Sequence, residues 1–343
     1  MTQPRRQLVD SRVTPYYHCI SRCVRRLFLC GDADEHRKQW IENRLQQLAR
    51  IFAIEVCSYT ILDNHMHLVL RLNDQLAASW TDEQVVRRWA DLFPPRGKNR
   101  KPLPLTKQWV QERLADTGWI ARTRQRLNDL GWFMKCLKEP IARMANHEEN
   151  CRGAFWDPRF KSIAILDEEA LLTTMAYVDL NGFAAGKSAT PENSPHTSLK
   201  ARIEHAKQVS ASAGVPNRSH TGNSPDNVDL NDEAFWLVPL QDRRGQGADR
   251  AGILPNVTLR SYLELLDWSS RLNRPGKARI SPDAAGILQR LGTSADHWQE
   301  RLQKIQANDR FFGVVTASSR EVLQRLAEQT GRKKVANFSG PPF

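Results

Sequence analysis

Residues 54–72 read IEVCSYTILDNHMHLVLRL, and this stretch decides the fold. Ile54 to Leu62 and His65 to Leu72 are both rich in β-branched, aromatic and large apolar residues, and only Asp63 and Asn64 separate them. Two such runs joined by two turn-forming residues predict an antiparallel hairpin. Side chains on a strand alternate between faces, so His65 and His67 project from one side while Met66 points to the other. The hairpin therefore aims two imidazoles at one point.

Upstream of the hairpin, Tyr16 to Val24 has the composition of a strand, and a basic turn at Arg25 and Arg26 follows. Asp32 and Asp34 are N-cap candidates for a helix through Ile51, whose Trp40, Ile41, Leu45 and Leu48 recur at three- and four-residue steps. Downstream, a basic insertion spans about 73–125. Within it Arg96, Lys98, Arg100 and Lys101 sit among four prolines, which predicts a mobile loop. From Leu127 the positions Leu130, Phe133, Met134, Leu137 and Ile141 trace a helical stripe, with a kink expected near Cys136 because Pro140 interrupts it. Phe160 to Leu166 suits a further strand. Asp167 then caps a helix through Leu171, Leu172, Met175 and Val178, which carries Tyr177.

Strand, helix, strand, strand, helix, strand, helix is the order of an α+β fold, a ferredoxin-like antiparallel sheet covered by helices, here assigned to residues 1–186. Composition then turns to Ser, Asn, Pro, Thr and Gly, so 187–235 reads as a linker or extended segment. Residues 236–343 read as a mainly helical C-terminal domain. Its helices are expected over Leu259 to Trp268, from Ser281 to near Leu291, after Ser294, and from Ser319 to Gly331. The Gly292 turn invites a helix-turn-helix reading; holding the first domain or a second subunit is the competing role.

The 343 residues carry 50 Lys and Arg against 38 Asp and Glu, a net charge of +12 with pI near 9.7. Such an excess favours a polyanion, because cations that neutralise phosphates gain from counterion release. An anionic membrane surface would exploit the same charge. No apolar run approaches the roughly 18 residues of a membrane span, and Met1 to Asp10 lacks the apolar core of a signal peptide. The expectation is a cytoplasmic protein with no membrane partner, as monomer or homodimer. Its six cysteines form no C-x-x-C pair and read as reduced thiols.

Tyr177 and Asn181 lie four residues apart and so share a helix face. If that helix lies across the sheet face bearing His65 and His67, Asn181 can complete a metal shell with Tyr177 beside the ion. The competing reading packs Tyr177 in the core and leaves Asn181 as a C-cap before Gly182. Two histidines and an amide oxygen are fewer and harder ligands than a structural zinc cage, and suit Mg2+ or Mn2+ with positions left for substrate oxygens. A tyrosine nucleophile would store the phosphodiester energy in a covalent phosphotyrosine, whereas water would lose it.

The chain resembles the IS200-like single-tyrosine transposases, more narrowly the REP-associated tyrosine transposases, within the HUH nuclease superfamily. The resemblance rests on YYHCISRCVRRLFLCG (16–31), SYTILDNHMHLVLRL (58–72), GWFMKCLKEPIARMAN (131–146) and FWDPRFKS with YVDLN (155–181), and covers about the first half of the chain. It implies His65 and His67 as metal ligands, Asn181 as the third, and Tyr177 as nucleophile. It also implies a single-stranded DNA substrate bearing stem-loops, such as REP-like palindromic repeats, cut to a 5′-phosphotyrosine and a free 3′-hydroxyl. Arg22, Arg25, Arg26, Arg96, Lys98, Arg100, Lys101, Arg159 and Lys161 are the candidate phosphate contacts, and Trp156 a stacking surface for an unpaired base. Gly182 stands where relatives often carry proline, and a flexible glycine there would loosen the helix end. The rival functions are a catalytically silent regulator that grips a DNA or RNA hairpin, and a metal-dependent hydrolase that uses water.

Overall fold

A computed structural model describes residues 9–212, 235–244, 250–255, 257–271, 288–289, 293–307 and 315–316. Its strands are β1 (Tyr16–Arg22), β2 (Ile54–Ile61), β3 (His65–Leu72), β4 (Lys161–Ile165) and the two-residue β5 (Val315–Thr316). They lie in the order β2-β3-β1-β4-β5, the first four antiparallel and β5 parallel to β4. Helix α1 (His36–Ile51) joins β1 to β2 while β3 lies between them, which is the split βαβ of the ferredoxin-like arrangement. The fold is thus α+β, an antiparallel sheet covered by helices and followed by a helical C-terminal region.

Between β3 and β4 come α2 (Asp74–Ser79), α3 (Asp82–Leu92), α4 (Lys107–Leu114), α5 (Thr117–Arg126) and α6 (Leu130–Glu148). The last residues of the sheet domain form α7 (Glu168–Ala184), and α8 (Ser198–Ser212), α9 (Leu259–Arg271) and α10 (Ala295–Ala307) follow. Strand alternation divides the interior into two cores. Tyr17, Cys19, Met66, Leu68 and Leu70 face α1 and α6. Ile20, Val69 and Ile163 face α7, behind which pack Tyr262, Leu265 and Leu266 of α9 with Trp298 and Leu302 of α10. Helix α7 is buried almost continuously from Ala170 to Leu180, as befits a helix sandwiched between a sheet and other helices.

Several local expectations are corrected. Asp32 to Asp34 form a short 3-10 turn, and α1 starts after Glu35 without a side-chain cap. Pro140 lies within α6, which continues to Glu148. Proline has no N–H for the carbonyl four residues back, and Arg44 Nε donates to that carbonyl, Cys136 O, at 3.0 Å. The basic insertion is mostly helical. Its cationic loop is folded into a turn, with Gly97 N donating to Lys101 O and Leu103 N to Pro95 O.

The compositional linker holds α8, whose start is buried against β2: Tyr59 N donates to Ser198 Oγ at 3.1 Å, and Arg202 donates to Cys57 O at 2.8 Å. Polar composition there reflects hydrogen bonding to the sheet. The helices expected from Ser281 and Ser319 lie largely or wholly outside the described residues, and the helix-turn-helix reading with them. Gly182 does not loosen α7, which passes through it to Ala184. A Cβ there would stand 2.1 Å from Ser194 Oγ, so glycine permits the close approach of the 3-10 turn Pro191–Asn193 and the segment after it. All six cysteines are free, five of them buried and Cys151 exposed.

Candidate active site

The face of the sheet beneath α7 gathers three histidines and one tyrosine. In the β1–β3 register Ile20 lies opposite His67, and Arg22 opposite His65. His18, two residues before Ile20, therefore shares their face. Its Nε2 lies 2.9 Å from His67 Nδ1, with the rings stacked at 5.1 Å. The His65 ring meets His67 edge-on at 4.9 Å. From above, the Tyr177 ring stands perpendicular to His67 at 5.4 Å and edge-on to His18 at 6.2 Å.

Tyr177, His18 and His67 are buried, and His65 is half-buried. His65 Nδ1 is held by Asn64 Oδ1 at 2.6 Å, and Asn64 Nδ2 donates to Arg26 O at 3.2 Å. Arg25 and Arg26 both adopt left-handed backbone, φ 53° and 59°, in the exposed turn beside the histidines. Such non-glycine conformations cost about 1–3 kcal/mol each and collect at functional sites. The turn carries exposed Leu27 and Phe28.

Positive charge surrounds the imidazoles. Burial first, then His65, His18, Arg22 and Lys161, hold His67 well below the ordinary imidazole pKa. Burial, with Lys161 second, lowers His18 to about 3. Both rings are neutral at neutral pH, and one proton lies between the facing nitrogens. With that proton on His67 Nδ1, Nε2 is left as a lone-pair donor, the tautomer that a metal ligand requires. His67 Nε2 is buried without a hydrogen-bond partner among the described residues. This orphaned nitrogen, the adjacent His65 and the amide of Asn181 suit a divalent cation. Among the described residues no group of three or more His, Cys, Asp or Glu is arranged to hold a metal.

These lowered pKa values predict an acid sensitivity. The unfolded chain protonates imidazoles near 6.5, whereas folded His18 gains its proton only near 3. Between the two values the unfolded state binds more protons, so stability falls as pH falls, by up to about 1.4 kcal/mol per pH unit for each such ring. Above the unfolded value neither ring contributes. Urea unfolding of metal-free protein between about pH 4.5 and 6.5 should show His18→Gln with a slope shallower by about one proton; an unchanged slope refutes the buried neutral ring.

The candidate residues thus separate. His65, His67 and Tyr177 come together. Asn181, half-buried in the last turn of α7, shares the Tyr177 face, and its carbonyl accepts from Ala185 N at 2.9 Å. Arg22 and Lys161 flank the histidines; Lys161 lies opposite Ile20 on β4. Arg25 and Arg26 sit in the adjoining turn, and Arg159 is exposed just before β4. Arg96, Lys98, Arg100 and Lys101 are exposed on the connection between α3 and α4. Trp156 is corrected as a stacking surface: it is only 7% exposed, and its Nε1 donates to Lys138 O at 3.1 Å.

Sequence reasoning passed over His18, whose only signal is its place in the β1 alternation, and that signal points to the site only once the β1–β3 register is known. Among the described residues no helix is long and apolar enough to cross a membrane.

The chain matches no protein-family model and none of the curated proteins. Among solved structures it is similar to a REP-associated tyrosine transposase bound to a REP hairpin, with 13% identity, a TM-score of 0.35, and coverage of 60% of this chain and 86% of that one.

Proposed function

We propose that the chain is a metal-dependent, single-strand DNA endonuclease and strand transferase that uses Tyr177 as its nucleophile. The packing of the Tyr177 ring against His67 and His18 carries this reading. It sets a phenol beside a buried, orphaned imidazole nitrogen on a face rimmed with cations. His65, His67 and Asn181 would hold Mg2+ or Mn2+. When bound, the ion supplies Lewis-acid withdrawal of charge from the non-bridging oxygens of the scissile phosphate.

The chain's own residues supply position and charge. Arg22 and Lys161 draw the phosphate to the histidine face and offset its negative charge as the transition state forms. His18 is a positioning residue: its hydrogen bond fixes the ring orientation and tautomer of His67. Tyr177 Oη forms a bond to phosphorus as the bond to the 3′ oxygen breaks. The phenol proton leaves to bulk base and the departing 3′ oxygen takes up a proton, so the products are a 5′-phosphotyrosine and a 3′-hydroxyl. Attack by another 3′-hydroxyl reverses the sequence and joins the strands. The four blocks of resemblance imply hairpin-bearing repeats as substrate, with Arg25, Arg26 and Arg159 as further phosphate contacts.

The test is a labelled hairpin oligonucleotide with single-stranded flanks, incubated with the protein and Mn2+ and run on a denaturing gel. A metal-dependent band at the mass of protein plus DNA is expected. Cleavage without such a band would identify a hydrolase that uses water, and binding without cleavage a regulator that grips the hairpin.

A further inference from the structure

Residues 93–126 carry nine Lys and Arg against two Asp and Glu, a net of seven in a chain whose total is +12. No acidic residue occurs from 92 to 111. Beside this stretch three helices bring tryptophans together: Trp89 from α3, Trp119 from α5 and Trp132 from α6. Trp89 lies 5.5 Å from Trp132 and 6.5 Å from Trp119, ring centre to ring centre. Phe93 is 4.7 Å from Trp89 and is 40% exposed. Trp80, Trp156, Trp236, Trp268 and Trp298 are buried, whereas Trp89, Trp119 and Trp132 are half-exposed.

Cations lie over these rings. The Arg126 guanidinium is 4.8 Å from the Trp132 centroid and 5.6 Å from Trp89. Lys135 Nζ is 4.8 Å from Trp132, and Arg113 is 5.4 Å from Trp119. Rings under cations can simply close a small core, each cation serving as a lid. That role accounts for Arg113, Arg126 and Lys135, but not for exposed Arg96, Lys98, Arg100 and Lys101 on the adjoining loop. Every base has a π-face, and a cationic track beside aromatic rings is the chemistry that holds unpaired strands. A duplex keeps its base faces stacked and so offers these rings no π-face to stack on.

We propose that this aromatic and cationic face of α3, α5 and α6 binds an unpaired polynucleotide strand, stacking bases on Trp89, Phe93 and Trp132 while the 96–101 loop holds phosphates. The surface does not depend on the chemistry at Tyr177. It would keep a single strand on the protein whether or not that strand is cut.

Wild-type protein in EDTA, which prevents metal-dependent cleavage, is titrated with a fluorescein-labelled oligothymidine of about 16 nucleotides. Anisotropy should report binding, with quenching of tryptophan emission. An abasic oligonucleotide of the same length should bind about ten-fold more weakly, since base stacking is lost. The double variant Phe93→Ser with Lys98→Gln alters only exposed side chains and should also weaken oligothymidine binding about ten-fold. Its far-UV circular dichroism reports whether the fold is kept. Photo-crosslinking with an iodouracil-containing strand should label peptides bearing Trp89, Phe93 or Trp132. Equal affinity for the abasic strand, an unaffected double variant, or crosslinks confined to the histidine face would each overturn the proposal. Loss of the covalent adduct in the hairpin assay would leave it standing, so the two readings fail separately.

Discussion

Tyr177→Phe is expected to form no covalent DNA adduct, while hairpin binding stays within about two-fold of wild type, because the phenyl ring keeps most of the contact area. The ring already packs edge-on against His67 and His18, and removing only its oxygen leaves that packing intact. Losing a nucleophile that acts as part of one catalytic unit typically lowers the rate by on the order of 10^4-fold or more. Cleavage followed by gel, with adduct and free 3′-hydroxyl product measured separately, gives the reading. Cleavage by the Phe variant at near wild-type rate would mean that water is the nucleophile, and the transferase reading would fall. His67→Ala should lose adduct and cleavage together, since it removes the buried nitrogen to which the metal site is assigned.

The largest stability effect is expected at Asp179, two residues beyond Tyr177 and completely buried. Its Oδ2 accepts from Tyr262 Oη of α9 at 2.7 Å, and its Oδ1 accepts from Leu199 N of α8 at 3.0 Å and from Ser198 Oγ. Buried Arg202 adds a favourable charge nearby. Burial pushes the carboxyl above the usual carboxylate range, opposed by Ser198, Tyr262 and Arg202 in turn. One carboxylate therefore ties α7, α8 and α9 into a single body.

Asp179→Ala leaves several buried donors without an acceptor and should cost about 3–5 kcal/mol, seen as a lower urea midpoint at unchanged slope. Asp179→Asn keeps one oxygen acceptor and should cost less. The sign of its pH effect is opposite to that of the histidines. A raised folded pKa favours the fold at low pH, and that contribution is lost as pH rises through the folded value. The Asn variant should lack this component. A loss below about 1 kcal/mol in the Ala variant would contradict the role of Asp179 as a tie between helices.

Much of the sheet is legible in the sequence because strand alternation is a local rule. The hairpin, the strand at Tyr16, the strand before Asp167 and the Asp167 cap all follow from neighbours in the chain, and the cap bond from Ala170 N is 2.8 Å. The insertion was harder to read. Its prolines and cations suggest a loop, while α3 is set by a capping box of Thr81 and Gln84 that composition hides. The polar stretch holding α8 misleads for a related reason: Ser198 bonds to β2 and Asp179 in place of water.

By itself the sequence determined that His65 and His67 share a face and that Tyr177 and Asn181 share another, since the periods of strand and helix are fixed by covalent geometry and backbone hydrogen bonding. Only the tertiary structure decided that these two faces meet, that His18 joins them, and that Trp156 is enclosed. It also decided that α9 and α10 cover α7, which explains why that helix is buried almost all round. Those outcomes depend on strand register and on contacts between residues distant in the chain, and no local pattern encodes them.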